Sequence, residues 1–509
     1  MRGPHNMFRL FSTLSTFERS GATRVALDML EAPRSLKIVL RVVGWPFQWL
    51  GLKGDPSKPP VLRAITALGP VYIKFGQLLS TRPDVVGTEL AAELSVLLDR
   101  LPPFSLEQAK QSIMHEIGQE TDELFAEFSE PVAAASIAQV HKARLKECGS
   151  YVAIKVLRPG IERAFQRDID ALYFAAGVVD LLSPGVRRLK PRDVIAHFEG
   201  VVLDELDLRL EASAADEFAA KCKDDTGISA PTVRWHLSSK RAMTMDWVDG
   251  INLGDVAKLR AAGHDMPALA RRLLQMFLRS ALRDGYFHAD MHQGNIKVAS
   301  DGTFMIMDYG IMGRIDEYTR RVYAEILMGF IRRDYYSVAR VHFEAGYVPS
   351  TQNVEEFAQA LRSVGEPIFG MEASQISMAR LLGHLFEVTG RFGMETRTEL
   401  ILLQRTMVVV EGVGRTLDSD LNIWECARPI VENYIRRHVG PAATLREFAE
   451  TARMLSRLGP RLPQLAETAI RNLEKDTDEP PASRQLKWFA LGVLTAIAVT
   501  ALVMLIDFG

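Results

Sequence analysis

The stretch GYFHADMHQGNIKVASDGTFMIMDYG sets three oxygen-bearing side chains at fixed separations. Asn295 follows Asp290 by five residues, and Asp308 lies thirteen beyond Asn295, inside an Asp-x-Gly. Between them runs a short hairpin pattern whose turn is Ser300-Asp301-Gly302. Asp308 at a strand end and Asn295 on the adjoining loop supply the hard oxygen ligands that Mg²⁺ prefers. Asp290 is placed to orient, or accept a proton from, an attacking hydroxyl or water. Gly310 lets the chain turn sharply after the metal ligand. The plainer reading is a polar loop beside a hairpin.

Those spacings match the catalytic loop and metal-binding motif of protein-kinase-like enzymes, which also need a cation on the nucleotide. The run VAIK ends in Lys155, although an apolar strand with one lysine is weak alone. In this context Lys155 would bridge the α- and β-phosphates and need a carboxylate to hold it. Glu211, in LDELDLRLEASAADEF, is the candidate, on a helix able to pack behind the sheet. Asp207 lies four residues earlier and would share that face. Two carboxylates at that spacing repel, so two cations are expected opposite. Lys155 is one, and Lys74, in LGPVYIKFGQLLSTRPD, is a candidate for the other, its weight resting on the resemblance given below. Pro70 reads as the first residue of a helix that carries Lys74 and Gln77 on one face. Gly76 would cost that helix about 1 kcal/mol, which suggests close approach to another backbone. The bland alternatives are an ordinary helix around Lys74 and a solvated acidic face at Asp207.

Ahead of VAIK, PVAAASIAQVH puts Ala133-Ala134-Ala135-Ser136 where a phosphate loop normally carries glycine. Alanine stiffens the turn and limits positive-φ conformations. The expected effect is to restrict how deeply a terminal phosphate settles and to disfavour transfer to a protein hydroxyl. Ser136 is either a donor to phosphate or a hydroxyl that stabilises the turn.

Taken together, the motifs resemble the UbiB/AarF family of atypical protein-kinase-like proteins. The matching pieces are KFGQ (74–77), the alanine-rich loop with SIAQVH, VAIK (152–155), ELD with LEA (205–212), HAD…GN (288–295) and DYG (308–310), spread over roughly residues 65–315. The resemblance implies an α+β, bilobal protein-kinase-like fold that binds ATP and Mg²⁺. It puts the KFGQ helix over the nucleotide site, where a peptide substrate would otherwise lie. Lys74 and Gln77 would then sit near the phosphates, with Glu205 and Asp207 against that helix and Glu211 on Lys155. Met245 and Asp246 would lead into adenine-contacting backbone. It also implies support of ubiquinone biosynthesis at a membrane, with ATP hydrolysis more evident than protein phosphorylation. The chain departs from the family pattern at Met291 and Gln293, which replace prolines, at Tyr309 for phenylalanine, at Ala214 for asparagine and at Leu98 for glutamine. None of these removes a metal ligand.

The 509 residues suggest several structural units. Residues 1–128 read as a helical extension, 129–245 as a sheet-bearing lobe, 246–435 as a helical lobe and 436–485 as helices and a linker. PTVRWHLSSKRAMTMDWVDG (231–250) reads as two strands. Residues 486–509 read as a transmembrane helix: Trp488–Ile506 is nineteen residues without a charge, about 28 Å as a helix. Arg484 and Lys487 before it place the main body in the cytoplasm, anchored by one pass in the inner membrane. Gly492, Ala496 and Thr500 make a small-residue stripe suited to a homodimer through that helix, with simple composition as the alternative. The Lys37–Gly54 stretch, apolar with basic flanks but broken by Pro46, is a packed helix or a membrane-surface segment.

Net charge of −2 offers no field for nucleic acid, and three scattered cysteines with no CxxC fit a reducing compartment. The partners expected are membrane lipid, isoprenoid lipid intermediates and quinone-biosynthesis enzymes. After Asp308 the chain runs GIMGRIDEYTRRVYAEI with no long activation segment, which argues against a peptide acceptor. The functions left are an atypical kinase or ATPase for quinone or lipid metabolism, a nucleotide-sensing pseudokinase scaffold, and a conventional protein kinase.

Overall fold

Alternation in YVAIKVL decides how the sheet sits. Val152, Ile154 and Val156 are fully buried, while Ala153 and Lys155 face the other way. The computed structural model describes residues 5–29, 49–80, 86–94, 96–97, 102–182, 191–369, 384, 388, 390–394 and 398–438. Strands β1 (Phe125–Ala134), β2 (Ala138–Leu145), β3 (Tyr151–Leu157) and, after the two-residue β4 (Ile228–Ser229), β5 (Ala242–Asp246) carry this pattern. The sheet they form is antiparallel in the order β1-β2-β3-β5. It begins four residues earlier than the expected boundary at 129, because Phe125 pairs with Leu145 and is buried with it. Pro131 is tolerated because β1 is the edge strand, and the register slips on both sides of it.

The apolar face of this sheet is covered by a helix of the extension. Helices α1 (His5–Ser20), α2 (Ala22–Met29), α3 (Pro60–Leu68), α4 (Pro70–Ser80) and α5 (Thr88–Leu94) precede α6 (Leu106–Ile117) and the short α7 (Thr121–Leu124). Ser105 and Gln108 form a reciprocal capping box that starts α6. Ile113 of α6 is buried with Val152, Ile154 and Val156 in one small core. Helix α4, which carries KFGQ, belongs to the larger core through Val71, Tyr72 and Ile73. Tyr72 and Thr13 of α1 share a hydrogen bond of 2.7 Å between their hydroxyls. Phe75 meets Phe198 edge-on, with ring centroids 5.0 Å apart.

Phe198 lies on α9 (Pro191–Glu205), which follows α8 (Ile161–Leu182) and precedes α10 (Leu208–Cys222). The segment 231–250 yields one strand rather than two. Its first half makes a single bridge, Val233 to Met245, and a 3₁₀ turn at Trp235–Leu237. Next come β6 (Ile251–Asn252), α11 (Val256–Ala261) and α12 (Met266–Arg279), whose Leu273, Leu274 and Phe277 are fully buried. A π-helical turn, Ser280–Asp284, extends α12 and leads into β7 (Tyr286–His288). The hairpin of β8 (Ile296–Val298) and β9 (Phe304–Ile306) joins β4 and β6 in a second sheet. A strand that sequence patterning missed, β10 (Met312–Arg314), pairs with β7 before the helices resume. These are α13 (Glu317–Arg332), α14 (Tyr335–Glu344), α15 (Val354–Phe369), α16 (Thr398–Leu417) and α17 (Ile423–His438). Residues 1–432 form one compact unit, and a second starts at Asn433.

Among the described residues no helix is long and apolar enough to cross a membrane. The stretch Trp488–Ile506 lies outside the described residues, as do most of the linker and residues 37–48.

β10 is pressed onto β7 because Gly313 has no side chain, and a Cβ there would overlap the Phe287 ring opposite. Gly313→Ala is expected to destabilise the fold by about 1–3 kcal/mol, the usual cost of overpacking a filled core. Chemical denaturation measures it; an unchanged midpoint would mean that the two strands separate freely there.

Candidate functional site

The lysine that faces away from the small core finds its partners on two other elements. Lys155 Nζ donates to Glu211 Oε1 and Oε2 at 2.7 and 2.8 Å, and Asp308 Oδ1 stands 3.9 Å away. Glu211 lies in the first turn of α10, and Asp308 lies two residues beyond β9. Lys74, on α4, pairs with Glu205, the last residue of α9, at 3.0 Å. These five groups act on one another: Glu205 contributes to the field at Lys155, and Lys74 to the field at Asp308. Burial opposes the Lys155 charge, but Asp308 and Glu211 overcome it and raise its pKa above the ordinary lysine value. Lys155 is the main influence on Asp308, whose carboxyl is pulled down to about 2 against the effect of burial. Burial pushes the Glu211 pKa up, with Lys155 pulling the other way.

The catalytic-loop residues are held by main-chain contacts. Asn295 Nδ2 donates to the Asp290 carbonyl at 3.0 Å and to its carboxylate at 3.1 Å. His288 is buried, which pushes its pKa down and favours the neutral ring. Its Nδ1 accepts from the Asp290 N–H at 3.1 Å, so the Nε2–H is left to donate to the Asp308 carbonyl. One ring therefore connects Asp290 to Asp308. The Asp308 carboxylate accepts from the Gly310 N–H at 2.9 Å. Tyr309 is fully buried against Phe218 and His288, and its hydroxyl, the atom that phenylalanine would lack, donates to the Ile306 carbonyl at 3.1 Å. Met291, where a proline was expected, is also buried.

Of the other expected site residues, Asp207 is placed differently. Asp207 does not share a helix face with Glu211, because α10 starts at Leu208 and Asp207 is its N-cap. Its carboxylate accepts from the Arg209 N–H and guanidinium, and that arginine is what lowers its pKa. Gln77 donates to the Leu97 carbonyl at 3.2 Å. Gly76 makes close approach to side chains rather than to backbone, since a Cβ there would press on Leu97 and Ile65. Leu98 lies outside the described residues. Met245 is buried opposite Ala153 of β3, and Asp246 pairs with Arg234 at 2.7 Å.

The alanine-rich loop closes tightly. Ala134 pairs with Gln139, and the Ala135 N–H donates to the Ala138 carbonyl at 2.8 Å. None of Ala133, Ala134, Ala135 and Ser136 has a positive φ, so no position in the loop demands glycine. Ser136 is fully buried. Sequence reading missed three residues around these loops: Arg158, Gln139 and Thr406. Thr406 of α16 donates to the carbonyl of Ala289, within HAD, at 3.1 Å.

Among the described residues no three His, Cys, Asp or Glu side chains gather to hold a metal ion. The donor set still fits Mg²⁺, which usually keeps one or two protein ligands and takes the rest from phosphates and water. With its nitrogen committed to Asp290, Asn295 has its amide oxygen left for a cation, and the Met307 N–H on the Asn295 carbonyl ties its backbone to the segment that carries the ionised Asp308. Two lysines also face three carboxylates in the cluster, which leaves an excess of negative charge.

Residues 96–342 match the ABC1 atypical kinase-like domain, and residues 361–422 match the UbiB helical domain. The Probable protein kinase UbiB of Marinobacter nauticus is 38% identical over 450 residues, which cover 87% of this chain and 82% of that protein. The chain belongs to the UbiB family. A solved Rv3197–erythromycin complex from Mycobacterium tuberculosis is similar in fold, with a TM-score of 0.52 and 24% identity over 70% of this chain and 90% of that one. The UbiB-family chain thus has a kinase-like α+β fold, and its paired Lys155 and Glu211 lie inside the matched kinase-like domain.

Glu211→Gln is expected to cost about 1–3 kcal/mol, because it removes a charged partner from a buried donor while Asp308 stays within reach. Thermal unfolding with and without Mg-ATP measures it. A variant as stable as the parent would show that Lys155 does not depend on Glu211.

Proposed function

We propose that this chain is an atypical kinase or ATPase that uses Mg-ATP and supports ubiquinone biosynthesis, or a related lipid pathway, at a membrane. The observation that carries this reading is Lys155 held between Glu211 and Asp308 at 2.7–3.9 Å. In this arrangement Lys155 holds the α- and β-phosphates, and Glu211 keeps its ammonium in place. Asn295 and Asp308 would hold Mg²⁺, which would supply charge neutralisation on the transferred phosphoryl group. Asp290 orients the attacking oxygen and takes its proton. Met245 would lead into the backbone that meets the base, and α4 would carry Lys74 and Gln77 towards the phosphates, with Gln77 bonded to the Leu97 carbonyl in this structure. Only β10 and its flanks separate Gly310 from α13, which leaves little chain to seat a peptide. That favours water, a small molecule or a lipid as acceptor.

The name of the Marinobacter relative supports the kinase assignment, and membership of the UbiB family supports the quinone one. The uncharged stretch Trp488–Ile506 supports a single-pass anchor, with lipid and quinone-biosynthesis enzymes as neighbours and Gly492, Ala496 and Thr500 as a contact stripe between two copies. A second reading, a nucleotide-sensing scaffold, is favoured by the Lys74–Glu205 pair, which ties the KFGQ helix to the end of α9, near the Lys155 cluster.

Asp308→Asn is expected to lower Mg-ATP turnover by about 100-fold or more, as loss of a charge that acts on the transferring group does. Phosphate release from the full chain in lipid vesicles measures it. Nucleotide binding without turnover in the parent would favour the scaffold. For the pathway, deletion of the gene is expected to deplete the quinone pool in a lipid extract, and an unchanged pool would remove the quinone assignment.

A further inference from the structure

What stiffens the alanine-rich loop comes from outside its hairpin. Arg158, the first residue after β3, donates to the Ala135 carbonyl from Nε at 3.1 Å and from Nη2 at 2.8 Å. The same Nη2 reaches the Pro102 carbonyl at 2.9 Å, and the Arg158 N–H donates to the Ile137 carbonyl at 2.8 Å. Its guanidinium also lies 5.7 Å from the Phe104 ring centroid. On the other side of the turn, Gln139 grips the same segment. Its Oε1 accepts from the Phe104 N–H at 3.0 Å, and its Nε2 donates to the Phe104 carbonyl at 3.3 Å. Both ends of the loop are therefore bound to 102–104, a segment that belongs to neither strand. Hydrogen bonds from an ionised donor are roughly twice as strong as neutral ones, and a guanidinium presents its donors in a rigid planar fork that a lysine lacks. The alanines stiffen the loop only through their own backbone, at φ values that alanine adopts without strain, and make none of these side-chain bonds to 102–104.

We propose that Arg158 is a positioning residue that clamps the phosphate-facing loop to Pro102–Phe104, and that this clamp, more than alanine itself, sets how the loop meets a terminal phosphate. The second half rests on the nucleotide reading above; the clamp does not. The full chain in lipid vesicles tests both. Hydrogen–deuterium exchange without nucleotide is followed in peptides covering 133–138, with 152–156 and 242–245 as references. Arg158→Gln is expected to speed loop exchange by about tenfold, the loss of ~1.4 kcal/mol of local protection, with the references unmoved. Arg158→Lys, which keeps charge without the fork, is expected to fall between, and Ala134→Gly to change exchange less than Arg158→Gln does. The ratio of ATP to ADP affinity is expected to shift by about fivefold in Arg158→Gln, the worth of roughly one hydrogen bond at the terminal phosphate.

Loop exchange unchanged in Arg158→Gln, or loosened as much by Ala134→Gly, would overturn the clamp. A loosened loop with an unchanged ATP-to-ADP ratio would overturn its role in positioning. If the parent chain binds no nucleotide, the functional reading fails and the positioning role falls with it, while exchange still decides the clamp.

Discussion

An ammonium group in a half-dry cleft is the constraint on which the rest depends. The Lys155 side chain is 19% exposed and that of Glu211 only 9%. Stripping water from a charge is costly unless an opposite charge is close and well aligned. Three pieces of chain distant in sequence must therefore converge: β3 with the lysine, the first turn of α10 with Glu211, and the end of β9 with Asp308. Each carboxylate brought in for Lys155 adds negative charge, and Lys74 answers part of it from α4 through Glu205. The KFGQ helix is in this sense part of the same electrostatic problem as the sheet.

The loops around this cluster are held by a different kind of contact. Asp290, Ala289 and Ala135 are all fixed through main-chain atoms, by His288, Thr406 and Arg158 in turn. Backbone acceptors in a packed interior have to be satisfied, and side chains that reach them also fix the path of the loop. The arrangement leaves the Asp308 carboxylate free to bear charge while its backbone is tied down.

How much of this could be read from sequence follows from the range of each interaction. Asp290, Asn295 and Asp308 lie on neighbouring turns of one chain segment, so spacing alone showed their grouping. Glu211 was legible because a lysine on a nucleotide-binding strand needs a carboxylate, and the LEA of the family pattern marks one. Asp207 was misplaced because the four-residue rule assumes that the helix already exists at its first member. Here the helix starts one residue later, and the side chain turns back to cap it. Arg158 and Thr406 were invisible for another reason. Their partners are carbonyls of Ala135, Pro102 and Ala289, and a carbonyl leaves no mark in a sequence. The strand β10 is too short to show a period, and its pairing with β7 depends on a glycine that meets a phenylalanine ring across the ladder.

Tyr309 gives this site its temperament. A phenylalanine beside the metal-side aspartate can leave its pocket at the expense of apolar contact alone. A tyrosine whose hydroxyl is bonded to Ile306 in a dry interior must also abandon that bond, and the carbonyl it served is left without it. That extra bond raises the cost of moving the segment, so Tyr309 ties the backbone next to Asp308 more firmly than a phenylalanine would.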